Sequence, residues 1–315
     1  MRIFRDLIDL AEFKNSVVTI GTFDGVHLGH QKILNKLKNE ANDINGESLL
    51  FTFYPHPRMV IFPESHNLKL IQTIDEKIES LREFGLDNLI IYPFTKEFSR
   101  LTAFEFVRDI LVDKLKVKKL VIGYDHQFGR NREGDIEFLR ETANIFDFEV
   151  IEISAEEIDE VNVSSTKIRN SIIDGNIARA NEFMGKPFQV QGKVVQGKKL
   201  GREIGYPTIN LQLNNEHKIM PLDGVYAVQI HIAGSKHFGM MNIGINPTIN
   251  DPYKEEKKYE VHLFDFDQNL YDENVIVLFR KFIREEKTFD NLDALKLQIQ
   301  TDEKNIRKYF NIHCD

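Results

Sequence analysis

Two histidines three residues apart, His27 and His30, stand among glycines in GTFDGVHLGH, residues 21–30. Ahead of them runs SVVTI (Ser16–Ile20), β-branched and apolar; behind them Ile33, Leu34 and Leu37 fall at helical spacing. The stretch therefore reads as a strand-to-helix loop, the place where open α/β sheets hold ligands. A helix N-terminus offers unpaired N–H groups and partial positive charge, so it draws phosphate. Gly25 and Gly29 let the backbone come close to that phosphate, and imidazole N–H groups can donate to its oxygens. Such a group suits a reaction in which charge builds up on phosphorus. Zinc is a poor fit, because no cysteine or third histidine stands at ligand spacing nearby.

Three further stretches carry chemistry. VSSTKIR, residues 163–169, has consecutive hydroxyls at Ser164, Ser165 and Thr166, which cap a helix and aim donors at an anion, with Lys167 or Arg169 for charge. GYDHQFGRNREGD, residues 123–135, follows the strand-like KLVI and reads as a second loop at a strand end. GKKLGREIGYPTINL, residues 197–211, repeats glycine at 197, 201 and 205, spacing that folds a loop tightly over phosphates without being a Walker A loop. In an extended segment Thr208 and Asn210 point to one face. A hydroxyl and an amide oxygen together suit Mg²⁺ carrying nucleotide phosphate.

Elements must position these groups. The first half alternates strand candidates (16–20, 48–53, 88–92, 119–122, 148–153) with helix candidates (31–42, 75–84, 103–115, 135–145), which predicts a parallel sheet covered on both faces. Helical stretches at 165–174 and 177–184 follow. Met184-Gly185-Lys186-Pro187 marks a boundary, dividing the chain into domains 1–184 and 185–315. Beyond it, short strands at 188–195, 206–213, 225–232, 238–243, 259–264 and 275–282 predict a small antiparallel barrel. A final helix packs against it, with Leu292, Leu295 and Ile299 as its buried stripe.

Bulk properties agree with two domains: 315 residues is long for one core. A net charge of -8 disfavours broad nucleic-acid binding, so phosphate binding must be local. No apolar run approaches the ~20 residues of a membrane span, and the N-terminus lacks a signal-peptide core. The single cysteine, Cys314, excludes an intrachain disulfide and fits a reducing, cytoplasmic setting. Oligomeric state is left open.

GxFDGxHxGH resembles the signature of the HxGH nucleotidyltransferases, in the version of the FMN adenylyltransferase module of bacterial bifunctional FAD synthetases. The resemblance implies a Rossmann-like domain in which Gly21, Phe23, Asp24, Gly25, His27, Gly29 and His30 bind ATP phosphates. GYDHQFGRNREGD is similar to the family's GxDFxFGxxxxG element, which implies that Asp125 and Phe128 line the flavin and nucleotide site; His126 replaces a common phenylalanine. SSTKIR resembles the SSTxIR element, implied to contact the triphosphate through Ser164, Ser165, Thr166 and Arg169. In the second half, Gly197, Gly201, Gly205 and PTIN resemble the glycine-rich loop and PTAN motif of riboflavin kinases. YEVHLFDFD (259–267) matches the strand that carries the family's catalytic glutamate, here Glu260, with Asp265 and Asp267 as lesser candidates. That carboxylate would accept the proton of the ribityl 5′-hydroxyl. Arg284 is the candidate flavin contact of the segment FIREEKTFDNLDALKLQIQTD. The resemblance implies phosphorylation of riboflavin by Mg-ATP to FMN, then adenylylation of FMN to FAD. A kinase alone, a flavin sensor without turnover, or another cytidylyl- or adenylyltransferase, which would leave the barrel motifs unexplained, are the rival readings.

Overall fold

The computed structural model describes residues 1–8, 10–64, 68–156, 163–197, 200–248 and 251–312; Cys314 lies outside them. Two compact units divide between Ser165 and Thr166. The helices Ser165–Ile173 and Ile177–Met184, which precede the sequence boundary at Gly185, thus fall almost wholly on the barrel's side of that division. Met184 and Ile177 are buried, and Asn181 fastens its helix to the barrel, donating to the Phe279 carbonyl at 2.9 Å and accepting from Phe188 N at 2.7 Å.

The first unit is a six-stranded parallel sheet in the order β1-β4-β3-β2-β5-β6. Its strands are β1 (Arg2–Phe4), β2 (Ser16–Ile20), β3 (Glu47–Tyr54), β4 (Asn88–Pro93), β5 (Lys119–Gly123) and β6 (Glu149–Ile153). Side chains alternate across it. Val17, Leu50, Leu89 and Val121 pack with Leu34, Leu37, Ile78 and Leu81 of the helices Leu28–Asp43 and Ile74–Phe84. Val18, Leu49, Phe51 and Leu120 face the opposite layer, which holds Phe106, Ile110 and Leu139. Burial on both faces explains strands that read as continuous apolar runs. The helix expected over 103–115 begins as α over Ala103–Glu105 and continues as π-helix over Phe106–Val112.

Winding reverses at β2. From it the chain steps outward through β3 and β4, then returns to place β5 on the other side, so β2 and β5 flank the switch point. Residues 21–30 leave β2 there, and residues 123–135 leave β5 beside them.

The second unit is a closed antiparallel barrel, β10-β11-β8-β7-β12-β9. It comprises β7 (Phe188–Val195), β8 (Ile209–Leu213), β9 (Gly224–Ile232), β10 (Ser235–Thr248), β11 (Asp251–Leu263) and β12 (Asn274–Arg284). The strand expected over 206–213 starts only at Ile209, because Pro207 has no N–H to give a ladder and a four-residue helix, Leu200–Glu203, occupies part of the glycine-rich segment. The helix Leu292–Phe310 packs on the barrel, but the expected stripe is corrected: Leu292 is 64% exposed, and the helix buries Ile306, Asp302 and Arg307 instead. Ile299 joins the cluster of Val225, Ala227, Met240, Phe264 and Ile306.

Candidate active sites

At the switch point of the first unit, His27 caps the helix Leu28–Asp43: its Nδ1 accepts the His30 N–H at 3.3 Å. The ring proton of His27 is thereby placed on Nε2. The two imidazoles stack with centroids 3.6 Å apart, and Phe23 stacks on the far side of His30 at 4.6 Å. His30 is held well below the ordinary imidazole pKa, chiefly by burial and then by the charges of His27 and Lys77. It is neutral at pH 7, and its buried Nδ1 meets no protein partner among the described residues. Such an orphaned polar atom at a helix start is a place for a ligand atom.

The turn is built to hold this pair. Gly25 has φ +93°, a left-handed conformation that favours glycine, with Ile71 packed against it. Gly29 lies against the His27 ring and the Val163 carbonyl, and Gly21 against the Phe23 ring. Asp24 is buried and accepts the N–H groups of Ile71 and Gln72 at 3.1 and 3.2 Å. Its carbonyl accepts the Ser165 hydroxyl at 3.0 Å. Phe23 and Asp24 thus lie beneath the turn as its supports. Ser164 is exposed, as is Thr166, which begins the second unit together with Arg169.

In the neighbouring loop Asp125 is exposed. Phe128 exchanges two backbone bonds with Gly134, each 3.0 Å, and packs on Phe106 and Phe138. His126 stacks on Phe128, with burial lowering its pKa to about 4; its Nε2 is buried and unpaired among the described residues.

In the second unit Glu260 of β11 stands in register with Asn210 of β8 on one side and Asn242 of β10 on the other. Val261 and Leu263 are buried inward, so Glu260 and His262 take the outward face. Asn242 completes a polar row, Asn210–Glu260–Asn242, across three strands. Gly197 runs so close to the Asn210 side chain that a Cβ there would collide with it. Gly201 accepts the Tyr206 N–H at 2.7 Å, and Gly205 has φ +85° in open space. His262 bonds the Pro207 carbonyl at 2.7 Å and meets Tyr206 edge-on, tying the turn before Thr208 to β11. Arg284 donates to Asp302 Oδ2 at 2.8 Å and to the Glu285 carbonyl at 2.9 Å.

The geometry can be set beside known proteins. The FAD synthetase family model matches residues 9–167 and the riboflavin kinase model residues 184–310. A protein of Buchnera aphidicola from Schizaphis graminum, described as a bifunctional riboflavin kinase/FMN adenylyltransferase, is 39% identical over 99% of this chain and 100% of its own. That of Escherichia coli K12, with the same description, is 36% identical over 99% of each. The chain belongs to this bifunctional family. Among solved structures, one from Streptococcus pneumoniae described as a macrolide-efflux protein superposes with TM-score 0.87 at 35% identity, covering 97% of this chain and 98% of that one. Among the described residues no helix is long and apolar enough to cross a membrane. Lys77, Asn242 and His262 are residues that local motif reading passes over.

Proposed function

We infer that the chain carries out both reactions of its family: riboflavin and ATP give FMN and ADP, and FMN and ATP give FAD and pyrophosphate. The observation that carries this reading is the assembly of each motif set at a distinct structural address. His27 and His30 pair at the switch point of the parallel sheet, where Ser165 bonds the Asp24 carbonyl, and Asn210, Glu260 and Asn242 stand in register across the barrel, which supports the reading.

For adenylyl transfer, an FMN phosphate oxygen attacks the α-phosphorus of ATP and the bond to pyrophosphate breaks. The attacking oxygen is already anionic, so no base is needed; the task is alignment and charge stabilisation. We assign phosphate contact to Nε2 of His27, to His30 and to the N-terminus of helix Leu28–Asp43. Gly21, Gly25 and Gly29 allow close approach, Phe23 and Asp24 shape the turn, and Ser165 braces it. Ser164, Thr166 and Arg169 keep the ATP role their motif implies. Asp125 and Phe128 are assigned to the flavin side.

For the kinase, Glu260 accepts the proton of the 5′-hydroxyl as its oxygen attacks the γ-phosphorus and ADP leaves. Gly197, Gly201 and Gly205 belong to the phosphate loop. Thr208 and Asn210 offer the hard oxygen donors that Mg²⁺ favours; the lodging of Asn210 against Gly197 fits such a site. Bound there with ATP, Mg²⁺ would neutralise phosphate charge. Arg284, committed to Asp302, acts on the flavin side by anchoring the segment that follows β12. The functional division proposed is 1–184 for adenylylation and 185–315 for the kinase. Location in the cytoplasm is proposed from the single cysteine.

A chromatographic time course with riboflavin, ATP and Mg²⁺ tests this reading. FMN appears first and FAD follows. Failure to form either overturns it; FMN without FAD, even from supplied FMN, removes the transferase half.

A further inference from the structure

Lys77 is a buried lysine in a helix whose register is set elsewhere. A capping box between Thr73 and Glu76 starts that helix, and Gly85 ends it in the left-handed conformation. This register carries Lys77 inward, 7% exposed, beneath the turn after β2. Its Nζ donates to the Thr22 carbonyl at 2.7 Å. That carbonyl also accepts the Thr52 hydroxyl at 3.3 Å, so it has a donor without the ammonium. Asp24 attracts Lys77 through its charge, yet its carboxylate is bonded to the Ile71 and Gln72 N–H groups.

A buried ammonium costs stability that a methionine or leucine of similar length would not. Local hydrogen bonding does not call for it. The turn GTFDGVHLGH carries no lysine or arginine of its own, its His30 is neutral, and the whole chain is net -8. A triphosphate arriving at the helix N-terminus meets dipoles and imidazole donors there, and a cation under the turn strengthens that field where water is excluded.

Resting on the adenylyltransferase reading of this site, we propose that Lys77 is a positioning residue of adenylyl transfer, anchoring the Thr22 carbonyl and supplying fixed positive charge from beneath the GTFDG turn. Burial lowers its pKa to about 8. The charged and titratable groups coupled to it are Asp24 and His30. Asp24 opposes loss of the proton and the histidine above it is uncharged, so adenylylation falls as pH rises through about 8.

The test uses the full-length chain, the Lys77→Met and Lys77→Arg variants, and FMN with Mg-ATP. Riboflavin phosphorylation in the same preparations serves as an internal control. Lys77→Met is expected to lower kcat/KM for FAD formation by about 10²-fold with kinase activity retained. Lys77→Arg keeps its charge at all accessible pH, so its alkaline decline is displaced upward. Adenylylation by Lys77→Met within about twofold of the parent, or the same alkaline limb in parent and Lys77→Arg, overturns the proposal. Should neither variant fold, a parent profile without an alkaline limb overturns it. A parent that makes no FAD from FMN instead refutes the functional reading beneath it.

Discussion

Face-to-face imidazoles at 3.6 Å cannot both carry charge cheaply. The unfolded chain protonates His30 near its ordinary value, the folded chain only well below it. As pH falls beneath about 6.5 the unfolded state binds the extra proton, and stability is lost. The His30→Asn chain should therefore lose less stability than the parent between about pH 7 and about pH 5.5, measured by denaturant unfolding. Glu260 gives a second expectation: Glu260→Gln should cut FMN formation by about 10²- to 10⁴-fold and leave FAD formation from supplied FMN intact in a product assay. Candidates such as His27, His30, Thr208 and Asn210 stand out in the sequence because their chemistry sits at short fixed spacings. Lys77 and His262 do not, because each meets its partner 55 residues away and nothing local marks a lysine or histidine as buried.

Strands and helices were legible where burial follows a period. Ser16–Ile20, Phe188–Val195 and Ile177–Met184 were read to the residue, each bounded by turn signals or a left-handed glycine. β10 and β11 extend well past the stretches read as strand, because backbone pairing continues through Ile245↔Lys257 and Pro247↔Glu255 where the polar run YKEEKK has no alternation to reveal it. The last helix misled for a different reason. It docks through polar groups: Arg284 and Gln298 converge on Asp302, and Arg307 grips Asp265 with two bonds of 2.9 and 2.7 Å and Glu303 with a third. Apolar periodicity does not register such contacts. Asp302 is 2% exposed, so Asp302→Ala strands a cation and should destabilise the barrel by about 3 kcal/mol. Urea unfolding of the full chain checks this, and Asp302→Asn, which keeps an acceptor, should lose less.

Two units with separate cores support two separable activities. A chain changed at Glu260 and a chain changed at both His27 and His30 should together convert riboflavin to FAD, with a lag while FMN accumulates in solution. Absence of FAD from the mixture, when each chain performs its remaining reaction, would show that FMN does not pass between chains.

The same whole-molecule view gives weight to three residues that no periodicity announces. β1, Arg2–Phe4, covers the outer edge of β4, whose sequence is NLIIYP. Arg2 secures it, its N–H to the Asp87 carbonyl at 2.8 Å and its guanidinium to Asn88 and Glu47 at 2.8 and 2.7 Å. The barrel is closed and has no edge to guard; on the β4 side of the parallel sheet this short strand is the cover. Without it, Leu89, Ile90 and Ile91 would lie along an unpaired, uncharged strand edge, the kind of template on which other chains add. Deletion of residues 1–4 should accordingly leave a protein that clouds and binds amyloid dyes on mild heating, while an intact Arg2–Phe4 keeps the β4 edge paired.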